Sequence, residues 1–231
     1  AAGLRLLRRL GEIAPGYHKA PAAVGTIWQR GGDYAQAARA FREALRLSPD
    51  HPYYLFRLGL SLDALDDPAA LTVLEAAVAA DPTQVAAQDL LAARLANVGR
   101  LTEATTIWMA QLARDAAHAP ALTNLGAVYE DQGDLDDARQ HYEAATRANP
   151  DYAPALDRYA ALLARQGEPA RALPVLERLA QLHPDDPVVL DRLARTLAQA
   201  NRPEQEIATL NRLVQLRPDY WPASFAIAAR Q

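Results

Sequence analysis

The sequence predicts an all-α fold: a solenoid of short antiparallel helix pairs. Three observations carry that prediction. A pattern of about 34 residues recurs from residue 18 to residue 220, the mark of an array whose units pack on their neighbours. Within each copy, apolar and small residues fall at i, i+3, i+4 and i+7, the period of one helix face. Half of the 231 residues are hydrophobic, yet only three are Phe and three are Trp. Ala and Leu supply the bulk, which favours closely packed helices over strands rich in β-branched and aromatic residues.

Residues 119–152 give the clearest copy. Leu122, Leu125, Gly126 and Tyr129 form one apolar stripe. Gly133 interrupts it, and Asp134 is expected to cap the next helix through its carboxylate. Ala138, Tyr142 and Ala145 make a second stripe, which Pro150 stops. Neither helix is long enough to stand alone in water, so the pair requires copies on both sides.

The other units follow in order. Residues 1–17 read as the second helix of a truncated leading unit, with Leu7 and Leu10 in core places and Pro15 at its end. Residues 18–51 carry Val24, Gly25 and Trp28, then Ala37, Phe41 and Ala44, closing at Pro49. Residues 52–84 carry Leu55, Leu58, Gly59 and Leu62, then Ala70, Leu74 and Ala77, closing at Pro82. This copy is one residue short at its Asp66-Asp67-Pro68 turn, where Pro68 suits a helix start. Residues 85–118 are the least regular, with Leu91, Ala92 and Leu95, a turn at Gly99, Ala104 and Trp108, and Ala116 where Pro stands elsewhere. Residues 153–186 carry Leu156, Tyr159, Ala160 and Leu163, a turn at Gly167, then Ala172, Leu176 and Pro184. Residues 187–220 carry Leu190, Leu193, Ala194 and Leu197, then Leu210, Leu213 and Pro218. In this unit Asn201 replaces the turn glycine, a swap Asn tolerates, and Glu206 stands where a small residue is expected. Residues 221–231 are either the first helix of a seventh unit or a closing helix, and carry Trp221, Phe225 and Ile227. The 85–118 and 187–220 units are expected to be the loosest. No linker breaks residues 18–220, which predicts one domain.

These places resemble the tetratricopeptide repeat. That family sets a bulky residue, Leu-Gly and Tyr on its first helix, and Ala, an aromatic and Ala on its second before a Pro. Leu122, Leu125-Gly126, Tyr129, Ala138, Tyr142, Ala145 and Pro150 match directly. Leu55, Leu58-Gly59, Ala70, Leu74, Ala77 and Pro82 match with aliphatics in the aromatic places. The resemblance implies six repeats over 18–220, a right-handed α-α superhelix, and a concave groove lined by first helices that holds partner peptides or helices. Specialised roles in the family depend on residues not found here. The two-carboxylate clamp of chaperone-binding members needs Lys and Asn where this chain has Ala22 and Thr26, and the asparagine ladder of the glycosyltransferase members is represented by Asn124 alone.

Composition narrows the chemistry. Net charge is −4 with a pI near 5.7, so no overall field favours nucleic acid or anionic membrane. The chain has no cysteine, which removes disulfides, thiolate metal sites and cysteine nucleophiles but leaves the compartment open between cytoplasm and periplasm. No apolar run reaches the roughly 18–20 residues of a membrane-spanning helix. The opening residues carry no secretory leader and start at Ala1, which fits an excised piece and a processed protein equally. His18, His51, His118 and His183 sit at unit boundaries without metal-ligand spacing, and His141 is expected to pair with Asp137 on the surface. The three serines lie outside any nucleophile motif, Gly31-Gly32 reads as a helix-joining turn, and Asp131 to Asp137 lacks the ligand order of a calcium loop. No enzymatic activity, metal or cofactor is expected.

Within each unit the fifth, sixth, ninth and thirteenth residues should face the groove. They define an apolar zone around Tyr53, Phe56 and Leu60, with Arg57 beside it, and an arginine-rich zone of Arg158, Arg165, Arg192 and Arg195; Asn124 lies between. Two readings of the arginines stand side by side. Either they hold an acidic or C-terminal segment of a partner, or Asp157 and Asp191 neutralise them as a structural ladder. The function expected is a non-enzymatic scaffold for a protein or peptide partner, oligomeric state open. The alternative is a regulatory or substrate-recruiting segment of a larger enzyme or export machine.

Overall fold

The computed structural model describes residues 2–228, which hold fourteen α-helices and no strand. The expected terminal helix therefore reaches outside the described residues at 229–231. The chain gathers into two compact units, Ala1–Gln111 and Leu112–Gln231. The first contains α1 (Ala2–Ile13), α2 (Lys19–Arg30), α3 (Tyr34–Leu47), α4 (Pro52–Asp63), α5 (Ala69–Ala80) and α6 (Val85–Asn97), with most of α7 (Leu101–Arg114). The second contains α8 (Ala119–Gln132), α9 (Leu135–Ala148), α10 (Ala153–Arg165), α11 (Pro169–Leu182), α12 (Pro187–Gln199), α13 (Pro203–Leu216) and α14 (Trp221–Ala228).

Consecutive helices pair, α2 on α3, α4 on α5, α8 on α9, α10 on α11 and α12 on α13, and each pair packs on the next within its unit. The cause is in the residues at the closest approach. A Cβ added at Gly126 would lie 2.7 Å from the Tyr142 ring, and one at Gly59 would lie 2.5 Å from Leu74. The first helix thus offers bare backbone where the second presents its largest side chain, and the two interlock at interior density. Phe41, Leu74, Trp108, Tyr142, Leu176 and Leu210 occupy that place in successive pairs and are all buried. One turn before each stands a small residue: Ala37, Ala70, Ala104, Ala138 and Ala172 are fully buried, and Glu206 takes the sixth such place at 5% exposure.

The turns between paired helices repeat as well. Gly32, Asp66, Gly99, Gly133, Gly167 and Asn201 all have positive φ and recur every 33 or 34 residues. At Gly133 the left-handed residue ends α8 and lets its N–H reach the Glu130 carbonyl, satisfying a helix C-terminus. Asp66 and Asn201 manage the same backbone with short polar side chains. Proline fits at the starts of α4, α8, α10, α11, α12 and α13, where its missing N–H costs nothing. Asp134 stands at the N-cap of α9 but makes no side-chain capping bond, whereas Asp33 accepts from the Gln36 N–H at 3.0 Å at the start of α3.

At the margins the core thins. Leu7 is half-buried, but Leu10, a core place by its spacing, is 38% exposed on α1, as are the flanking Leu6 and Ile13. α1 packs against α2. In α14, Ala223 is buried and Ile227 joins the cluster around Leu190, Leu210 and Leu213, while Trp221 and Phe225 are exposed.

The interlock gives a direct expectation. Gly126→Leu overpacks the Tyr142 ring and should lower stability by about 1–3 kcal/mol, read as a lower urea midpoint at unchanged far-ultraviolet signal before the transition. A variant as stable as the parent would show that the close approach is not needed.

Candidate binding face

The first helices of successive pairs touch each other within each unit: α2 meets α4 and α4 meets α6, and α8 meets α10. Their shared face carries the residues singled out by spacing. In the first unit, Tyr53 is exposed and Phe56, Arg57 and Leu60 are half-buried on α4. The Arg57 guanidinium lies 5.9 Å from the centre of the Phe41 ring and 5.7 Å from that of Tyr53, within cation–π range. Its carbonyl accepts from Gln29 Nε2 at 3.0 Å and from Ser61 Oγ at 2.8 Å, and Gln29 also donates to Ser61 Oγ at 2.8 Å. That buried polar link sets α2 against α4. Arg57 and Leu60 border an open hollow of about 240 Å³ with Gln29, Arg30, Tyr34 and Asp63. Farther along, Arg94 of α6 binds Asp66 at 2.7 Å and approaches Asp63 at 3.7 Å. The zone read as apolar is therefore mixed, with charge of both signs.

In the second unit the arginines are matched by carboxylates. Arg165 of α10 donates to Glu130 of α8, and Arg192 of α12 donates to Asp157 of α10. Both pairs lie 35 residues apart, one period plus one residue, so each links one first helix to the next. Arg195 binds Asp191 on its own helix at 2.8 Å, and Asp191 also accepts from the Tyr220 hydroxyl at 3.0 Å. Arg158 is exposed and makes no ion pair among the described residues, and Asn124 is half-buried. Two of the four arginines, Arg165 and Arg192, thus pair from one first helix to the next, Arg195 pairs within its own helix, and Arg158 is left to solvent. Exposed pairs of this kind contribute at most about 1 kcal/mol each; their service is to fix where the guanidinium groups point.

Glu130 is the residue that spacing overlooked. Its side chain is 12% exposed, and it accepts from the Tyr142 hydroxyl at 2.5 Å as well as from Arg165. It therefore joins the helix interlock to the face. The signal in the sequence is the repeated offset: opposite charges one period plus one residue apart occur twice. Gln29, Ser61 and Tyr220 were equally silent, because nothing in their spacing distinguishes a buried amide or hydroxyl from a solvated one. His141 does not pair with the Asp137 carboxylate; its Nδ1 lies 2.9 Å from the Asp137 main-chain oxygen, and its ring sits 4.9 Å from that of Tyr129. No cluster of three or more potential metal ligands occurs among the described residues, and none of their helices is long and apolar enough to cross a membrane.

Burial first, and then the hydrogen bond to Glu130, raise the Tyr142 hydroxyl above the usual tyrosine value, with Arg158 opposing. A folded-state pKa above the unfolded one gives stability that is present below about pH 10 and lost as pH rises past it. Tyr142→Phe should flatten that alkaline loss, seen as a smaller drop in melting temperature between about pH 9 and about pH 11, which bracket the free tyrosine value. An identical alkaline slope in both proteins would place the effect elsewhere.

Comparison with known proteins follows the same geometry. A family model described as tetratricopeptide repeat matches residues 29–85, 90–153 and 123–187, and a second with that description matches 163–230. No curated protein sequence matches the chain. Among solved structures the chain is similar to one in the APC/C hetero-tetramer Cut9-Hcn1, with TM-score 0.75 and 16% identity. That match covers 100% of this chain and 46% of the other, so this chain spans less than half of that neighbour's length. PilF of Pseudomonas aeruginosa gives 0.72 at 19% identity, covering 92% of this chain and 97% of that one. MamA of Desulfovibrio magneticus RS-1, from residue 41 on, gives 0.59 at 20%, covering 73% and 96%. Likeness at these identities speaks to fold, and the matched sequence segments supply the rest. The chain belongs to the tetratricopeptide repeat family, whose repeats generally mediate protein–protein interaction.

Proposed function

We propose that this chain is a non-enzymatic scaffold that holds an extended segment of a partner protein along the face made by its first helices. The observation that carries this reading is the arrangement in the second unit. Arg165 and Arg192 are fixed by carboxylates on the preceding first helix, and Arg158 stands exposed on α10, the helix that also carries Arg165. A face whose cations are already oriented loses little side-chain freedom when a guest arrives. The sixth places of α8, α10 and α12, held by Asn124, Arg158 and Arg192, offer donors at regular intervals to the carbonyls and carboxylates of an extended chain. The ladder lowers the net field, so the guest is drawn by local matching more than by long-range attraction, and its affinity falls with salt.

A second reading is that the chain recruits partners for a larger assembly. The same face would serve in either case.

The test is capture on a peptide array of extended acidic and neutral segments. Replacing Arg158 and Arg192 together by Ala should lower retention of acidic segments several-fold while circular dichroism stays helical. Retention of the same peptides at unchanged affinity would leave these arginines a purely structural ladder.

A further inference from the structure

Among the described residues, Arg94, Arg100, Arg139, Arg178 and Arg192 are half-buried and each binds a carboxylate. Arg57 is half-buried and binds none. Its Nε is shut off from solvent with no acceptor. The rings of Phe41 and Tyr53 flank its guanidinium at 5.9 and 5.7 Å, and aromatic faces offset only part of what a cation loses on leaving water. Gln29 is 8% exposed. Its Nε2 is committed to Arg57 O and Ser61 Oγ, while its Oε1 is buried without a donor. Both residues border the hollow of about 240 Å³. Buried polar atoms are normally satisfied, so each such exception asks for a partner.

The lining says what kind. Arg57, Arg30 and the Tyr34 hydroxyl can donate, whereas Gln29 Oε1 and the Asp63 carboxylate accept. Asp63 opposes any anion in the hollow, a singly charged carboxylate less than a doubly charged phosphate. A planar carboxylate fits the guanidinium fork.

We propose that this hollow receives one aspartate or glutamate residue of the guest segment, its side-chain carboxylate on the guanidinium groups of Arg57 and Arg30. The proposal rests on the scaffold reading, and it moves the acidic anchor of the guest from the arginine-rich second unit to the first. The anchor is preorganised: two rings hold Arg57, and two hydrogen bonds hold the Gln29 amide.

Because Arg57 Nε and the Gln29 amide are sheltered, their N–H signals can be followed by nitrogen-15 nuclear magnetic resonance. The intact chain is titrated separately with aspartate blocked as its N-acetyl methylamide, with asparagine blocked likewise, and with inorganic phosphate. Blocked aspartate should shift both signals to saturation, about tenfold more tightly than blocked asparagine, as expected where an ionised acceptor is exchanged for a neutral one. Gln29→Glu, which sets an anion in the wall of the hollow, should abolish that response, and Arg57→Lys, read on the Gln29 amide, should weaken it several-fold; Arg147→Gln, exposed on α9, should leave it unchanged. Equal responses to the two blocked residues overturn the proposal. So does a stronger response to phosphate, the absence of saturation, or saturation unchanged in Arg57→Lys. Failure here with peptides still retained on the array would remove the anchor and leave the scaffold reading intact. A saturable hollow on a chain that retains no peptide would remove the scaffold reading itself.

Discussion

Each helix pair closes because one helix lays bare its backbone where the other presents a ring or a leucine. Gly126 under Tyr142 and Gly59 under Leu74 are the tightest instances. Everything else follows from that closeness. It brings Ala138 and Ala70 into full burial and demands a sharp reversal after the first helix. It also delivers the Tyr142 hydroxyl to Glu130, so that a core side chain ends on the face where the ion pairs lie.

Two kinds of residue divide the labour along the first helices. Leu122, Leu125, Leu156 and Leu163 are spent on the core. Between them stand Asn124, Asp157, Arg158, Asp191 and Arg192, which have no core to join. In the second unit Arg192 binds Asp157 on the preceding first helix and Asp191 binds Arg195 on its own, while Arg158 faces solvent. In the first unit the equivalent place holds Arg57, which leans on rings and not on a carboxylate. The contrast between the two units lies in what neutralises the arginine, more than in how many arginines there are.

Much of the fold was legible because its signals are local and repeated. Helix ends were marked by Pro and Gly, whose backbone limits hold in any context, and the interlock by small residues recurring at one place. Even the substitutes were readable: Asn201 and Asp66 reach the left-handed turn that glycine holds elsewhere. What escaped were features that need two elements at once. The Asp134 carboxylate has the right type and place for a cap, yet whether it bends back to a free N–H depends on geometry that position alone does not fix. Leu10 has core spacing on a helix whose covered side is set by its neighbour. On the face, spacing found Arg165 and Arg192 and offered Asp157 as a partner, but not that Glu130 holds Arg165, since a charge pair spanning a whole repeat is invisible to a window the length of one helix.

The turns at Gly32, Asp66, Gly99, Gly133, Gly167 and Asn201 have a consequence for how such a chain can change over time. Since the same reversal returns every 33 or 34 residues, excising or copying one whole interval within a unit would join like surface to like surface. The array could thus lengthen or shorten in single steps with no redesign of its interior. Insertions of any other size would put each later glycine out of step with the side chain it must accommodate. Repeat number is then a quantity on which selection can act directly, while the spacing inside a repeat is held nearly fixed.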